Sequence, residues 1–372
     1  MSVSVSSPPA QAGAVLSIDL DAIVANWRSL EARQGPACRA AAVVKADAYG
    51  LGARPVAAAL AAAGCRRFVV ATLDEGLTLR AVLPGAEILV LSGPLPGTAA
   101  AFAEAALWPV LNSPEQVADW RALAARRDRA LAAALHVDTG MSRLGLSAAE
   151  LAALAADPAL LAGIDIRLLM SHLACADEPA HPLNERQCRR FAAARALFPG
   201  LPASLAASSG IFLGPAWHAD WTRPGAALYG LNPTPEAANP MRPVAQLSAR
   251  ILQVRDVDAG DSVGYGASYR CAAPTRLAIV AAGYADGLFR ALSNRGCGHF
   301  GEQPVPLVGR VSMDLTIFDV GAASPARPGE TITLMGPGND ADAIARAAGT
   351  IGYEILTALG ARYHRHYLGG AA

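Results

Sequence analysis

The chain has 372 residues, 31 Lys+Arg against 31 Asp+Glu, and is 53% hydrophobic but only 17% charged. That length fits about two domains with a full core in each, and zero net charge argues against a nucleic-acid binder or a polybasic membrane-surface protein, since both need a positive field. The apolar excess is mostly alanine, which favours helices, and no apolar run is long enough to span a bilayer. The basic residues are thirty Arg and a single Lys, Lys45. Arginine replaces lysine as a charge but not as a neutral amine nucleophile or imine former, which makes the one surviving lysine a candidate catalytic group.

Residues 1–14 are Ser/Pro/Ala-rich, with no basic start and no apolar h-region. They read as a flexible tail rather than a secretory signal. The six cysteines form no C-x-x-C pair and no zinc-type spacing, which reads as reduced thiols in a cytoplasmic protein. Short apolar runs then recur at 39–45, 67–71, 87–91, 108–111, 134–138, 166–172, 203–207 and 225–229. Helical stretches alternate with them, at 54–63, 114–125, 148–155 and 185–197. Ser113-Pro114 has the Ser at N-cap and Pro at N1 of a helix start, and Ser147 with Glu150 has capping-box spacing. Eight strands alternating with helices predict an α/β fold, a (β/α)8 TIM-type barrel over 15–235. A doubly wound sheet is the alternative, but no G-x-G-x-x-G follows the first strand. In a barrel the polar residues at the C-terminal strand ends line the active site. Those are Lys45, Asp138, His172, Ser208 and Arg223.

Residues 232–240 hold three prolines and read as a linker. Beyond it the pattern changes to strands at 245–257, 276–282, 304–311, 315–320 and 330–334, joined by Gly, Pro and Asp turns. A short helix at 340–348 and a Tyr/Arg/His-rich end follow. Residues 236–372 are expected to form a second, mainly β domain. His364 and His366 stand two apart with no carboxylate or cysteine partner nearby, and no metal is expected.

Lys45 ends an apolar strand, where partial desolvation lowers its pKa and frees the amine for imine formation with a carbonyl cofactor. The surrounding segment, Val-Val-Lys45-Ala-Asp-Ala-Tyr49-Gly50, resembles that of the bacterial alanine racemases, fold-type III pyridoxal phosphate enzymes. The resemblance extends through His136-Val-Asp-Thr-Gly-Met-Ser-Arg143-Leu-Gly, Ser171-His172-Leu-Ala, Arg223-Pro-Gly-Ala-Ala-Leu-Tyr229-Gly, Gly264-Tyr265-Gly, Gly283-Tyr284-Ala-Asp286-Gly and Gly309-Arg-Val-Ser-Met313-Asp314. It spans roughly Ser17 to Tyr363, and the motifs are specific as a set.

The resemblance implies an N-terminal barrel plus a C-terminal β domain, pyridoxal 5'-phosphate as cofactor, and interconversion of L- and D-alanine, supplying D-alanine for peptidoglycan. It implies that Lys45 carries the cofactor and acts as base on one face of the substrate α-carbon, with Tyr265 as base on the other. A free tyrosine has a pKa near 10, and His172 and Arg223 resemble the relay that assists it. Arg223 matches the residue facing the pyridine nitrogen, and an arginine does not give up its proton there. Ser208, Gly225, Ala226 and the Tyr49 hydroxyl match the phosphate site. The late tyrosine that many members add there falls at Ala361, with Tyr363 close by. Arg143 and the backbone N–H of Met313 match the pair holding the substrate carboxylate. In the family the site joins the barrel of one subunit to the β domain of its neighbour, so Tyr265, Tyr284 and Met313 act across a homodimer, with Asp314 a supporting residue. The alternative activities are a racemase of broader amino-acid range or a decarboxylase, which carries an acidic residue where Arg223 stands. A non-catalytic pyridoxal-phosphate-binding protein has the barrel alone.

Two positions depart from the family pattern. Many members have a carbamylated lysine where His136 stands, and its charge holds the substrate-binding arginine. This chain has no second lysine, and it has Asp47 where members usually have Asn. His136 and Asp138 lie two apart on a strand and face the same way, so His136 is expected to point into the barrel and Asp47, through or beside it, to supply that charge to Arg143. A bound small anion such as chloride, or backbone carbonyls holding Arg143, are the alternatives.

Overall fold

The computed structural model describes residues 11–323 and 325–370. Most of the segment read as a flexible tail, residues 1–10, lies outside the described residues. The first barrel strand is split at Ala41 into Arg39–Ala40 and Ala42–Val43. The first half pairs with Trp221–Arg223 and the second with Arg67–Val70, so this one strand closes the ring. Between them stand Glu87–Val90, Trp108–Leu111, Leu131–His136, Ile164–Met170 and Ala203–Ala207, every pairing parallel. The eight-stranded barrel is thus as expected, except at its last strand. That strand is Trp221–Arg223, while Ala226–Tyr229 is a short 3-10 turn. The apolar run at 225–229 is buried because it packs beneath the barrel mouth, and burial alone does not distinguish a strand from a turn.

The helix starts follow their local chemistry. Ser113 accepts the Gln116 N–H ahead of Pro114–Arg127, and Ser147 with Glu150 forms the capping box of Ala148–Ala156. The helix Pro182–Ala196 begins earlier than its apolar pattern suggests, with His181 accepting the Leu183 N–H at its N-cap.

The β domain draws on both ends of the chain. Ala14–Asp19 runs antiparallel to the long strand Ala245–Val257 and parallel to the C-terminal strand His364–Leu368. Leu16 and Ile18 are fully buried there, the alternation of a half-buried strand. The stretch opening the expected barrel domain at residue 15 therefore belongs to the other sheet. An antiparallel strand has no place in an all-parallel barrel. Ala245–Val257 also pairs with Thr275–Val280 and Thr331–Met335. Cys297–Phe300 and Gln303–Pro306 form a hairpin at the edge, and Thr316–Asp319 pairs with Thr275–Val280. One continuous buried core runs through barrel and β domain together. Among the described residues no helix is long and apolar enough to cross a membrane.

Asn26, on the helix Leu20–Ala32, joins barrel to linker. Its amide donates to the carbonyls of Leu228 and Arg242 at 3.2 and 3.0 Å and accepts the Arg242 N–H at 2.8 Å. Asn26→Leu leaves three backbone groups without partners, each costing about 1–3 kcal/mol where water is excluded. A fall in melting temperature of roughly 5 °C or more is expected by scanning calorimetry, with the barrel's circular dichroism retained.

Candidate active site

The C-terminal mouth of the barrel gathers the residues at the strand ends. Lys45 follows the first strand, and the chain then turns left-handed for four residues. Ala46, Asp47, Ala48 and Tyr49 have φ of 51, 52, 53 and 57°. For residues with a Cβ each such conformation costs about 1–2 kcal/mol, so neighbouring groups must hold it. The Ala46 N–H donates to Glu75 Oε1 at 2.7 Å, and Asp47 Oδ1 accepts the Ala53 N–H at 2.7 Å. Asp47 is exposed and caps the helix Ala53–Ala62. This overturns the expectation that it reaches His136 or Arg143. Strand alternation ends at Lys45, and the left-handed turn carries the Asp47 carboxylate onto the next helix.

His136 ends the fifth strand and bonds through Nδ1 to Asn112 Oδ1 at 2.8 Å. The Asn112 amide group donates to the carbonyls of Leu91 and Val110 at 3.0 and 2.8 Å, which turns its oxygen to His136. His136 Nδ1 is therefore the donor. Burial, with the Arg223 charge behind it, pulls the His136 pKa down to about 4. Asp138 accepts the N–H groups of Gly140, Met141 and Ser142 at 2.8–3.2 Å, shaping the loop that presents Arg143. Arg143 is exposed, and its charge acts on Lys45, His136 and His172.

Arg223 is buried with neutral partners. It donates to Ser204 Oγ, to the Ser171 carbonyl at 2.6 Å and to His172 Nδ1 at 3.4 Å. Among the described residues it has no carboxylate partner. Burial lowers its pKa to about 10, which leaves it charged near neutrality. Burial and then Arg223 pull His172 down to about 3. With Nδ1 accepting from Arg223, the ring proton of His172 sits on Nε2. Lys45 is likewise held below the ordinary lysine value, by burial first and then by Arg143, with Glu75 opposing.

A polar cradle lies beside them. Ser208 Oγ accepts the N–H groups of Gly225 and Ala227, both at 3.1 Å, and Ala226 opens the 3-10 turn between them. A Cβ on Gly225 would lie 2.5 Å from the Tyr49 hydroxyl, so glycine there is what lets that hydroxyl reach the loop. The Tyr49 ring sits 4.8 Å from that of Tyr229 and 6.0 Å from that of Tyr353. Tyr353 is the late tyrosine beside Tyr49, where Ala361 or Tyr363 was expected. Tyr363 is buried with its hydroxyl unpaired among the described residues, and Ala361 is exposed.

The β-domain candidates form a separate group. Asp286 takes the guanidinium of Arg362 at 2.6 and 2.8 Å, and the same guanidinium reaches Asp314 at 2.7 Å. The N–H groups of Tyr284 and Ala285 donate to the carbonyls of Ser312 and Met313, both at 2.9 Å. A Cβ on Gly283 would strike Met313 O at 2.3 Å, so this seam closes only over glycine. Tyr265, Met313 and Tyr284 are 71%, 54% and 43% exposed. Among the described residues, no hydrogen bond or ion pair links this group to the barrel mouth of the same chain. Sequence reasoning missed Glu75, Asn112, Ser204 and Tyr353. Of these only Glu75 carried a signal, its capping-box spacing with Thr72.

A pyridoxal phosphate fits the barrel group. The glycine-lined cradle matches a phosphate, the buried uncompensated guanidinium a ring nitrogen without a proton, and the depressed amine an aldehyde. Residues 18–233 match the family model for the alanine racemase N-terminal domain, and 244–367 that for the C-terminal domain. The chain is 56% identical over 362 residues to the alanine racemase of Rhodospirillum rubrum, covering 96% of this chain and 97% of that one. It is 51% identical over 364 residues to a catabolic alanine racemase of Mesorhizobium japonicum, covering 97% and 95%. The crystal structure of alanine racemase from Bartonella henselae with covalently bound pyridoxal phosphate superposes with a TM-score of 0.92 at 40% identity, over 96% of this chain and all of that one. The biosynthetic alanine racemase from Pseudomonas aeruginosa gives 0.89 at 37% identity, over 96% and 100%.

Folding into this site excludes a proton from both His136 and His172, since each is held below its free value. Their contribution to stability is full above about pH 6.5 and is lost as pH falls toward 4. Ring resonances of both residues are expected to keep neutral-form nitrogen shifts from about pH 5 to pH 9 by NMR. A midpoint inside that range would contradict the buried, cation-flanked placement.

Proposed function

This chain belongs to the alanine racemase family, and on that premise we propose that Lys45 and Tyr265 move the protons on opposite faces of the alanine α-carbon, with two copies of the chain completing each site. The activity is that of a pyridoxal-phosphate-dependent alanine racemase, an isomerase of L- and D-alanine. The observation that carries the reading is the sole lysine of the chain, at the barrel mouth with its amine held below the ordinary value, beside a buried arginine without a carboxylate.

Pyridoxal phosphate, when bound, supplies an aldehyde that takes up amines and a ring that draws electrons from the substrate α-carbon. Ser208, the loop at Gly225 and Ala226, and the hydroxyls of Tyr49 and Tyr353 would hold the phosphate. Arg223, which keeps its proton, would leave a pyridine nitrogen placed beside it unprotonated. Lys45 Nζ accepts or returns the proton on one face, and burial keeps the amine available for it. Arg143 and the Met313 N–H bind the carboxylate.

One group cannot cross the substrate plane, so inversion needs a second acid/base opposite Lys45. Tyr265 suits this through its Oη, but it stands exposed on the β domain with no bond to the barrel mouth of its own chain among the described residues. Exposed Tyr265, Tyr284 and Met313 on one domain support a homodimer in which each β domain completes the neighbour's site. The Arg362 clamp on Asp286 and Asp314 holds Tyr284 and Met313 ready for that role.

Borohydride reduction of the purified yellow protein is expected to attach the cofactor to the Lys45 peptide. Peptide mapping that finds that peptide unmodified would end the reading, since no other lysine exists. Tyr265→Phe is expected to lose most racemisation while keeping cofactor exchange with substrate. Mixed with Lys45→Ala after unfolding and refolding together, it should recover up to about a quarter of wild-type activity, because half the dimers are hybrids with one intact site of two. No recovery in hybrids verified by mass would place both groups in one subunit.

A further inference from the structure

We propose that Arg365 and Tyr367, on the C-terminal strand of the β domain, are positioning residues for Lys45: from outside the barrel they hold the left-handed turn that directly follows it. The turn leaves carbonyl groups with no helix to continue into, because Gly52 breaks the backbone at φ 97° before the helix Ala53–Ala62 starts. Two of those carbonyls are taken across the domain boundary. Arg365 Nη2 donates to Gly50 O at 3.0 Å, and Tyr367 Oη donates to Leu51 O at 3.0 Å. The donors alternate on His364–Leu368 and so share one face of it.

The strand is a firm base. It pairs in parallel register with Ala14–Asp19, Arg365 opposite Leu16 and Tyr367 opposite Ile18, both of them core residues. Arg365 also donates to the carbonyls of Leu359 and Gly360 at 3.2 and 3.1 Å, which fixes its fork before it meets the turn. The approach is close enough to exclude side chains. A Cβ on Gly52 would lie 2.1 Å from Tyr367 Oη, and one on Gly50 would lie 2.4 Å from Leu356 O. Within the turn, Gly50 N–H bonds to Ala46 O and Gly52 N–H to Asp47 O, both at 2.8 Å. Four residues with unfavourable φ persist only when their surroundings over-determine them. Here Glu75 grips the turn at Ala46, the residue next to Lys45, and the C-terminal strand grips its far end at Gly50 and Leu51, with Tyr49 between. Slack at Gly50–Leu51 displaces Tyr49 directly and Lys45 through the turn that adjoins it.

The inference rests on Lys45 as the cofactor's attachment point, and its test separates the two. In wild type, a missing absorbance band on adding pyridoxal phosphate to apoprotein would fail that reading, whatever the strand does. Tyr367→Phe removes the hydroxyl, and with it the hydrogen bond to Leu51 O, and leaves the ring. It is expected to weaken pyridoxal phosphate binding by apoprotein about fivefold, the worth of a typical hydrogen bond, and to speed amide exchange at Gly50 and Gly52. Arg365→Met is expected to do more, and Arg365→Lys to restore part of the loss because an ammonium still donates to one carbonyl. His366→Ala, between them on the same strand and exposed, is the control. Unchanged cofactor affinity and unchanged Gly50 and Gly52 exchange in Tyr367→Phe would overturn the proposal. So would an effect of equal size in His366→Ala, which would mean the strand acts only through general stability. If Arg365→Met does not fold, Tyr367→Phe alone decides.

Discussion

A guanidinium buried at the barrel mouth, with no carboxylate beside it among the described residues, adds to burial in setting the charge state of the imidazoles around it. Arg223 is satisfied by a hydroxyl, backbone carbonyls and a ring nitrogen, all neutral. Its charge adds to burial in holding His172 neutral, and does the same for His136 against the opposing carboxylate of Asp138. Burial does the same for Lys45. The mouth thus presents a buried cation, the exposed charge of Arg143, two neutral imidazoles and an amine held below the ordinary lysine value. A carboxylate in place of Ser204 or beside His172 would cancel that field. A ring nitrogen facing it would then take a proton and the chemistry would change class.

The second constraint is geometric. An amine in a barrel rim must aim at a bound carbonyl, yet a strand end points its residues alternately in and out. The left-handed turn after Lys45 breaks that alternation. It also brings the Tyr49 hydroxyl to Gly225, beside the loop whose N–H groups Ser208 gathers. The conformation is unfavourable residue by residue, and it is held by Glu75, by the Asp47 cap and by the β-domain strand. Asp47, which pattern assigned to Arg143, serves the turn instead. His136 is held by Asn112, whose own amide is turned by two backbone carbonyls.

The β domain has two tasks on two faces. One face, with Arg365 and Tyr367, grips the barrel loop of its own chain. The other carries Tyr265, Tyr284 and Met313 outward, with the Arg362 clamp stiffening the seam beneath. A domain built from both chain ends suits this, because Ala14–Asp19 and His364–Leu368 lie side by side and tie the C-terminal strand into the core.

Much of this was legible in the residues. Alternating apolar runs and helices specify a parallel barrel, since a strand that must cross back through a helix pairs in parallel. Ser113-Pro114 and Ser147 with Glu150 mark helix starts by local hydrogen-bond chemistry alone. A chain with one lysine names its own amine. What sequence could not supply were contacts between distant positions: Asn112 against His136, Tyr353 beside Tyr49, Arg362 across Asp286 and Asp314, and Tyr367 on Leu51, 316 residues away. Nor could it place the strand Ala14–Asp19, whose partners are the long β-domain strand and the far end of the chain. Periodicity and capping depend on neighbours within a few residues, and those neighbours are printed in the chain. Which side chain reaches which carbonyl depends on how two domains seat against each other, and on a left-handed turn that no local propensity favours. Only the assembled structure decides that.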